Sequence, residues 1–111
     1  MDAKTKNILL KLHDIHDKLY QKHMDAAPKN GDIPVGGGDW MDSFFRLEGI
    51  RGIMSALRNG DSLHNAIETG KSRSMEAVQK WNSGREYQVH RWVETAWDYL
   101  DMIYRKVNDD S

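Results

Sequence analysis

The sequence has 111 residues, enough for one small domain. Its 16 basic and 17 acidic side chains nearly cancel, which argues against a strongly basic protein that coats DNA but still allows a local basic patch. Because the chain contains no cysteine, disulfides, thiolate metal sites and a cysteine nucleophile are excluded. No apolar run approaches the roughly 18 residues of a membrane span, and the polar start is unlike a signal peptide. We therefore expect a cytoplasmic protein that does not act at a membrane.

A first helix is predicted over residues 5–25. Its apolar stripe has the four-three spacing of a bundle helix and consists of Ile8, Leu12, Ile15 and Leu19. A second line along the same helix contains His13, His16 and His23, and imidazoles three residues apart on a helix can share a metal ion. Carboxylate-bridged metal bundles use Glu-x-x-His pairs on two helices, and the sequence has no such pair. We therefore assign no metal and interpret the histidine line as a polar flank of the core or a subunit contact.

Residues 26–38 form the one long connection of the chain. They are rich in glycine and proline, which disfavour a regular element, and they exceed the usual connection of roughly 2–8 residues between helices. Ile33 and Val35 are the apolar side chains that we expect to anchor this loop to the core.

A second helix is predicted over residues 39–59. Asp39 is a suitable N-cap, and Asn59-Gly60 is a C-terminal stop signal. Gly49 and Gly52 lie inside this helix, where each costs roughly 1 kcal/mol of helix propensity relative to alanine. Glycine inside a helix often permits the close approach of another backbone, so we expect a tight helix crossing at this point.

A third segment, over residues 61–82, has a weak middle. Asp61 can cap it, and the chain either continues as one helix with Gly70 and Ser74 on its small-residue face or breaks so that Ser72 caps a new helix. The continuous register keeps the four-three spacing of apolar and small residues. The pattern therefore favours one helix.

The fourth helix is predicted over residues 84–108, and we expect the other helices to pack against it. Ser83 and Glu86 have the spacing of a capping box at its start. Its apolar stripe consists of Val89, Val93, Ala96, Leu100, Ile103 and Val107. Together the four segments predict a single all-α domain over residues 1–111, in the form of a small, mainly antiparallel four-helix bundle with a Gly/Pro loop after the first helix.

The favoured functional hypothesis is a non-catalytic helical module for protein–protein interaction or assembly. The chain has four tryptophans, four tyrosines and six methionines, and tryptophan and tyrosine are favoured at interface centres. Four tryptophans do not all fit one small core, so we expect Trp92 to be partly exposed and assign partner binding to Trp92, Trp97 and Tyr99. The partner is another protein or a second copy, with an even-numbered homo-oligomer preferred. Small cysteine-free helical proteins of this kind are frequent among phage and mobile-element accessory proteins.

The first alternative is a nucleic-acid-binding accessory protein. Basic side chains contact phosphates and aromatic side chains stack on unpaired bases. Trp81 and Trp92 lie among a group of basic residues that could form such a surface, namely Lys71, Arg73, Lys80, Arg85 and Arg91. A helix-turn-helix over residues 62–81 is disfavoured because several positions that should be apolar are polar.

The second alternative rests on Arg85 and His90, which are separated by four residues. This spacing resembles the Arg-x(4–6)-His signature of HEPN ribonucleases, and Arg58 with His64 fits the same loose pattern. The resemblance implies that the arginine and the histidine lie across a dimer cleft at a helix and act on RNA phosphodiesters. Apart from this resemblance we see no catalytic constellation, and we predict no cofactor and no enzyme activity.

Overall fold

A four-helix bundle accounts for the part of the chain that the structure describes, with no strand in it. The structure is a computed structural model and describes residues 2–31, 33 and 37–109. The bundle measures 45 × 24 × 21 Å and confirms the predicted fold class. Its elements are α1 (Ala3–Asp25), a short 3-10 helix (Lys29–Gly31), α2 (Gly38–Arg58), α3 (Leu63–Asn82) and α4 (Arg91–Asp109).

Helix α2 is the centre of the bundle, in place of the fourth helix that the sequence favoured. It lies close to the other three helices, whereas no Cα atom of α1 lies within 8 Å of one in α3, and both of these helices are fully within the described residues. Its buried residues extend well beyond a single face of the helix, from Met41 to Leu57. The strong apolar stripe of α4 reflects burial of one face only, so the helix with the clearest stripe is not the most enclosed one.

Consecutive helices run antiparallel. The end of α1 lies beside the start of α2, where His23 Nδ1 is 2.8 Å from the carbonyl oxygen of Trp40. Helices α2 and α4 run parallel, since the ring centroids of Phe45 and Trp92, each near the start of its helix, are 5.0 Å apart. Helix α1 is therefore antiparallel to α4, its other neighbour.

The crossing of α2 and α3 is as close as the sequence predicted. A Cβ atom placed on Gly70 would lie 2.6 Å from the carbonyl oxygen of Gly49, and one placed on Gly52 would lie 3.0 Å from Gly70 Cα. Ser74 is fully buried at the same crossing and donates a hydrogen bond of 2.8 Å to the carbonyl oxygen of Phe45. Small residues on both helices therefore allow the contact, and the prediction that one helix continues through Gly70 and Ser74 is confirmed by α3.

Two of the predicted N-caps are wrong by one or two positions. Gly37 occupies the N-cap of α2, and Asp39 lies in the first turn. Ser62, and not Asp61, caps α3 by accepting a hydrogen bond from the Asn65 N–H. Asp61 is still engaged with the previous helix, because its N–H donates to the carbonyl oxygen of Ala56.

The predicted stop of α2 at Asn59-Gly60 is confirmed. Asn59 is the C-cap, and the N–H of Gly60 donates to the carbonyl oxygen of Leu57. Together with the bond from Asp61 to Ala56, this is the Schellman arrangement, which needs a left-handed residue after the cap. Gly60 supplies it with a φ of 95°.

Helix α4 begins at Arg91, so the predicted capping box of Ser83 and Glu86 and the predicted helix start near residue 84 are wrong. Asn82 explains the difference, because its side-chain amide binds both backbone groups of Val89. Its Oδ1 accepts from the Val89 N–H at 3.0 Å, and its Nδ2 donates to the Val89 carbonyl oxygen at 3.4 Å. This pairing holds residues 83–90 as a closed loop, and Ser83 becomes the C-cap of α3.

The long connection before α2 is described only in part. Ile33 is exposed, so the expectation that it anchors the loop to the core is wrong. Val35, the other predicted anchor, lies outside the described residues. None of the helices in the described part of the chain is both long enough and apolar enough to cross a membrane.

Candidate functional site

The three residues predicted to bind a partner lie in three different environments. Trp92 is only 6% exposed and belongs to a core cluster with Phe45, Val78 and Ala96, so the expectation that it is partly exposed is wrong. Because α4 begins only at Arg91, Trp92 lies in the first turn of the helix and fills the space against the start of α2. A buried side chain of this kind supports the fold and offers little surface to a partner.

Trp97 lies in the seam between α3 and α4. Its indole N–H donates a hydrogen bond of 3.0 Å to the carbonyl oxygen of Lys71, and the Lys71 ammonium group lies 5.6 Å from the ring centroid. Lys71 also forms an ion pair of 2.8 Å with Asp101. Trp97 therefore has partners within the chain and joins two helices.

Tyr99 is half-buried on the side of α4 that faces α2. The Arg46 guanidinium lies 5.0 Å from its ring centroid. Burial raises the pKa of the Tyr99 phenol above its ordinary value, and the positive charge of Arg46 opposes this effect. Tyr99 lies seven residues before Lys106, so both residues occupy the same side of α4.

An open apolar groove lies between α1 and α4, the pair of touching helices that contact each other least. We call it the α1/α4 groove; it encloses about 300 Å³ and is lined mostly by apolar atoms, from Leu10, Lys11, Asp14, Ile15, Lys106 and Val107. The Leu10 side chain is 67% exposed. Met102, 51% exposed, lies four residues before Lys106 and therefore on the same side of α4.

Leu10 and Met102 were not among the predicted partner-binding residues, although the sequence carries a signal for each. Ile8, Leu9 and Leu10 are consecutive apolar residues, and successive side chains on a helix point about 100° apart. Ile8 and Leu9 are buried in the core, so Leu10 faces outward. Met102 similarly precedes the buried Ile103.

The predicted nucleic-acid surface does not form one continuous patch. Lys71 faces α4 and is paired with Asp101, whereas Arg73 faces α2 and binds Glu48 at 2.7 Å. Arg85 lies flat on Trp81, with 3.6 Å between the guanidinium carbon and the ring centroid. The two remaining members, Lys80 and Arg91, are exposed. Nucleic-acid binding stays a prediction, and the geometry lends it no support because two of its charges are neutralised on opposite faces of α3.

A hydrogen-bonded network that the sequence analysis missed crosses the outer face of α1, α2 and α3. His16 Nε2 accepts a hydrogen bond of 3.1 Å from Arg51, and Arg51 donates a second one of 3.2 Å to Glu48. Glu48 also accepts from Arg73, and His16 contacts Asp17 at 3.1 Å. The network therefore links three helices through a balanced set of two carboxylates and two guanidinium groups.

The predicted histidine line is directed at α2. His13 is hydrogen-bonded to Arg58 at 2.7 Å, and His23 is buried, with its ring stacked on Trp40 at a centroid distance of 5.7 Å. Together with the contact between His16 and Arg51, these bonds make the line a polar flank of the core. Within residues 2–31, 33 and 37–109, no group of three or more possible ligands is arranged to hold a metal ion.

The Arg85–His90 pair lies in the loop that precedes α4, so its expected position at a helix is wrong. His90 is hydrogen-bonded to Gln88 at 3.2 Å, while Arg85 is stacked on Trp81. The second pair also spans a helix boundary, with Arg58 at the end of α2 and His64 in the first turn of α3. Ribonuclease activity stays a prediction, carried only by the resemblance in spacing.

Comparisons with protein-family models, with curated proteins and with solved structures found no match to this chain.

Proposed function

We propose that this protein is a non-catalytic helical interaction module that assembles through the α1/α4 groove, with a second copy of the chain as its partner. The single observation that carries the proposal is Leu10, an aliphatic side chain 67% exposed on the wall of an open apolar groove. Moving such a side chain from water into an interface is favourable, by about 25 cal/mol per Å² of apolar surface covered.

The composition of the groove supports a second copy as the occupant. Its lining combines the apolar side chains of Leu10, Ile15 and Val107 with three charged ones, from Lys11, Asp14 and Lys106. Interfaces typically combine apolar and polar groups. Asp14 brings a negative charge to the groove and the two lysines bring positive charges, and a surface that carries both signs can be complementary to itself, as a two-fold dimer requires.

The test is the oligomeric state in solution, measured by sedimentation equilibrium over a range of concentrations. The wild-type chain should associate reversibly below about 1 mM, which corresponds to a binding free energy of at least about 4 kcal/mol. Leu10→Lys should keep the chain monomeric, because a charged group would have to be buried in the groove. Far-ultraviolet circular dichroism should remain that of the wild type, since Leu10 contributes little to the core.

Tyr87→Lys is the matched control. Tyr87 is also strongly exposed, at 60%, but lies in the loop between α3 and α4, away from the groove. The change adds the same charge and removes a large apolar side chain, so this variant should associate like the wild type. A wild-type chain that stays monomeric throughout the range would contradict the proposal, as would equal effects of the two variants.

A further inference from the structure

Two histidines of α1 are hydrogen-bonded to arginines of α2. His16 Nε2 accepts from Arg51 at 3.1 Å, and His13 Nε2 lies 2.7 Å from a terminal guanidinium nitrogen of Arg58. We infer that these two pairs, which we call the histidine–arginine contacts, hold α1 on α2 only while both imidazoles are neutral, so that mild acid weakens the attachment of α1. This acid-sensitive device belongs to the fold itself and does not depend on the proposed assembly.

The chemistry of the donors fixes the protonation state of both histidines. A guanidinium group has only N–H donors, so each Nε2 must be the unprotonated acceptor and each Nδ1 must carry the proton. The second contact of His16 agrees, because its Nδ1 lies 3.1 Å from a carboxylate oxygen of Asp17. His23 differs, since its Nδ1 donates to the carbonyl oxygen of Trp40, a bond that a protonated imidazole also forms. The acid-sensitive groups are therefore His13 and His16.

A proton on His16 Nε2 would remove the acceptor and place a positive charge against Arg51. The charged groups that face this imidazole on α1, α2 and α3, directly or through one neighbour, are Asp17, Arg51, Glu48 and Arg73. Two carboxylates already balance two guanidinium groups, so the additional charge is uncompensated. Asp17 would attract the imidazolium, but its side chain is 78% exposed and water screens the attraction, whereas the His16 side chain is 17% exposed.

His13 has the same arrangement farther along the seam between α1 and α2. Both partners of this contact are exposed, so its effect should be smaller than that of His16. The charged groups around it are Arg58, Asp17 on the next turn of α1, and Asp2 and Asp61, which line the same cavity as Arg58. Helix α4 faces α1 along the α1/α4 groove, where the charged residues are Lys11, Asp14 and Lys106.

Acid should therefore lower the stability of the fold through these contacts. Histidine changes its charge between about pH 5 and pH 8. The unfolded chain takes up both protons freely, whereas the folded chain must first lose two hydrogen bonds. The free energy of unfolding therefore falls as the pH falls through this range. Loss of both bonds should raise the equilibrium constant for unfolding by about tenfold.

The experiment measures urea unfolding at about pH 7.5 and about pH 5.5, on the two sides of the histidine titration. Glutamine offers an acceptor oxygen to the arginines but does not titrate. On acidification, the equilibrium constant for unfolding should rise about tenfold more for the wild type than for the double variant His13→Gln/His16→Gln. His16→Gln alone should account for most of this difference.

His90→Gln is the matched control. His90 is exposed in the loop before α4 and is hydrogen-bonded to Gln88, so this variant should respond to acid like the wild type. A second readout is the imidazole tautomer, which nitrogen NMR spectra report directly. At about pH 7.5 both His13 and His16 should carry the proton on Nδ1. The Nε2–H form at either histidine would overturn the inference, as would a double variant that responds to acid like the wild type.

Discussion

At the scale of single residues, the fold depends on positions where a side chain is absent as much as on those where one is large. Gly49, Gly52 and Gly70 bring the backbones of α2 and α3 together. The buried hydroxyl of Ser74 uses a carbonyl oxygen of the neighbouring helix at the same crossing. These residues weaken each helix taken alone, so the gain must come from the contacts that the close crossing allows.

Gly70→Ala should therefore destabilise the protein although alanine is the better helix former. The substitution gains roughly 1 kcal/mol of helix propensity, but the new methyl group would lie 2.6 Å from the Gly49 carbonyl oxygen. Overpacking of a core typically costs 1–3 kcal/mol, and a backbone atom yields less readily than a side chain. Because the clash is with a backbone atom, we expect the upper end of this range, and the free energy of unfolding measured with urea should fall by about 2 kcal/mol. The exposed Ser72→Ala should change it little. A Gly70→Ala variant as stable as the wild type would mean that the crossing relaxes freely.

Tyr99 should make the stability of the fold decrease in alkaline solution. Burial raises the pKa of its phenol in the folded protein, against an ordinary value near 10 in the unfolded chain. The folded state thus keeps its proton longer, and the free energy of unfolding falls as the pH rises from about 10 through the higher folded-state pKa. The free energy of unfolding, measured with urea between about pH 8 and pH 11, should decrease less steeply with pH for Tyr99→Phe than for the wild type. The exposed Tyr87→Phe should retain the wild-type slope, and equal slopes for all three proteins would refute this role.

At the scale of elements, the start of α4 shows how one side chain from a neighbouring helix overrides a local signal. Ser83 and Glu86 have the correct spacing for a capping box, yet the loop continues to Arg91. Asn82, buried at the end of α3, binds both backbone groups of Val89 and so offers them a partner outside a helix. The positive φ of Gly84, 75°, allows the turn that brings the two residues together.

Asn82→Ala should loosen this loop and destabilise the bundle. The change would leave the buried N–H and C=O of Val89 without partners, and an unsatisfied buried group costs about 1–3 kcal/mol. We expect the free energy of unfolding, measured with urea, to fall by about 2–3 kcal/mol. Hydrogen exchange of the Val89 amide should also become faster. Gln88→Ala, at an exposed position of the same loop, should stay within about 0.5 kcal/mol of the wild type. Unchanged exchange at Val89 in the Asn82 variant would count against this account.

At the scale of the whole molecule, the three candidate surfaces differ in how their charges are distributed. The basic residues of the predicted nucleic-acid surface are divided between the two sides of α3, and acidic neighbours neutralise two of them. The face formed by α1, α2 and α3 has its charges linked in the network around Arg51 and Glu48. The α1/α4 groove differs from both because it combines a strongly exposed leucine with charges of both signs.

The apolar periodicity of the sequence by itself determined that the chain forms helices and which side of each helix is buried. The predicted stripes of α1 and α4 lie at the core through residues such as Leu12, Leu100 and Val107, because a 3.6-residue period depends only on neighbours along the chain. Gly49 and Gly52 likewise predicted the close crossing of α2 with another helix, which is α3. Of the predicted partner-binding residues, Tyr99 lies on the side of α4 that carries Met102 and Lys106, whereas Trp92 is buried in the core.

Only the tertiary structure decided which helix lies at the centre, where α4 begins and which surfaces remain open. Each of these depends on contacts between residues far apart in sequence, such as Asn82 with the loop before α4 and Glu48 with Arg73. The exposure of Leu10 follows from the same cause. A run of three apolar residues indicates that one of them faces outward, but the position of α4 beside α1 determines that this one lines a groove.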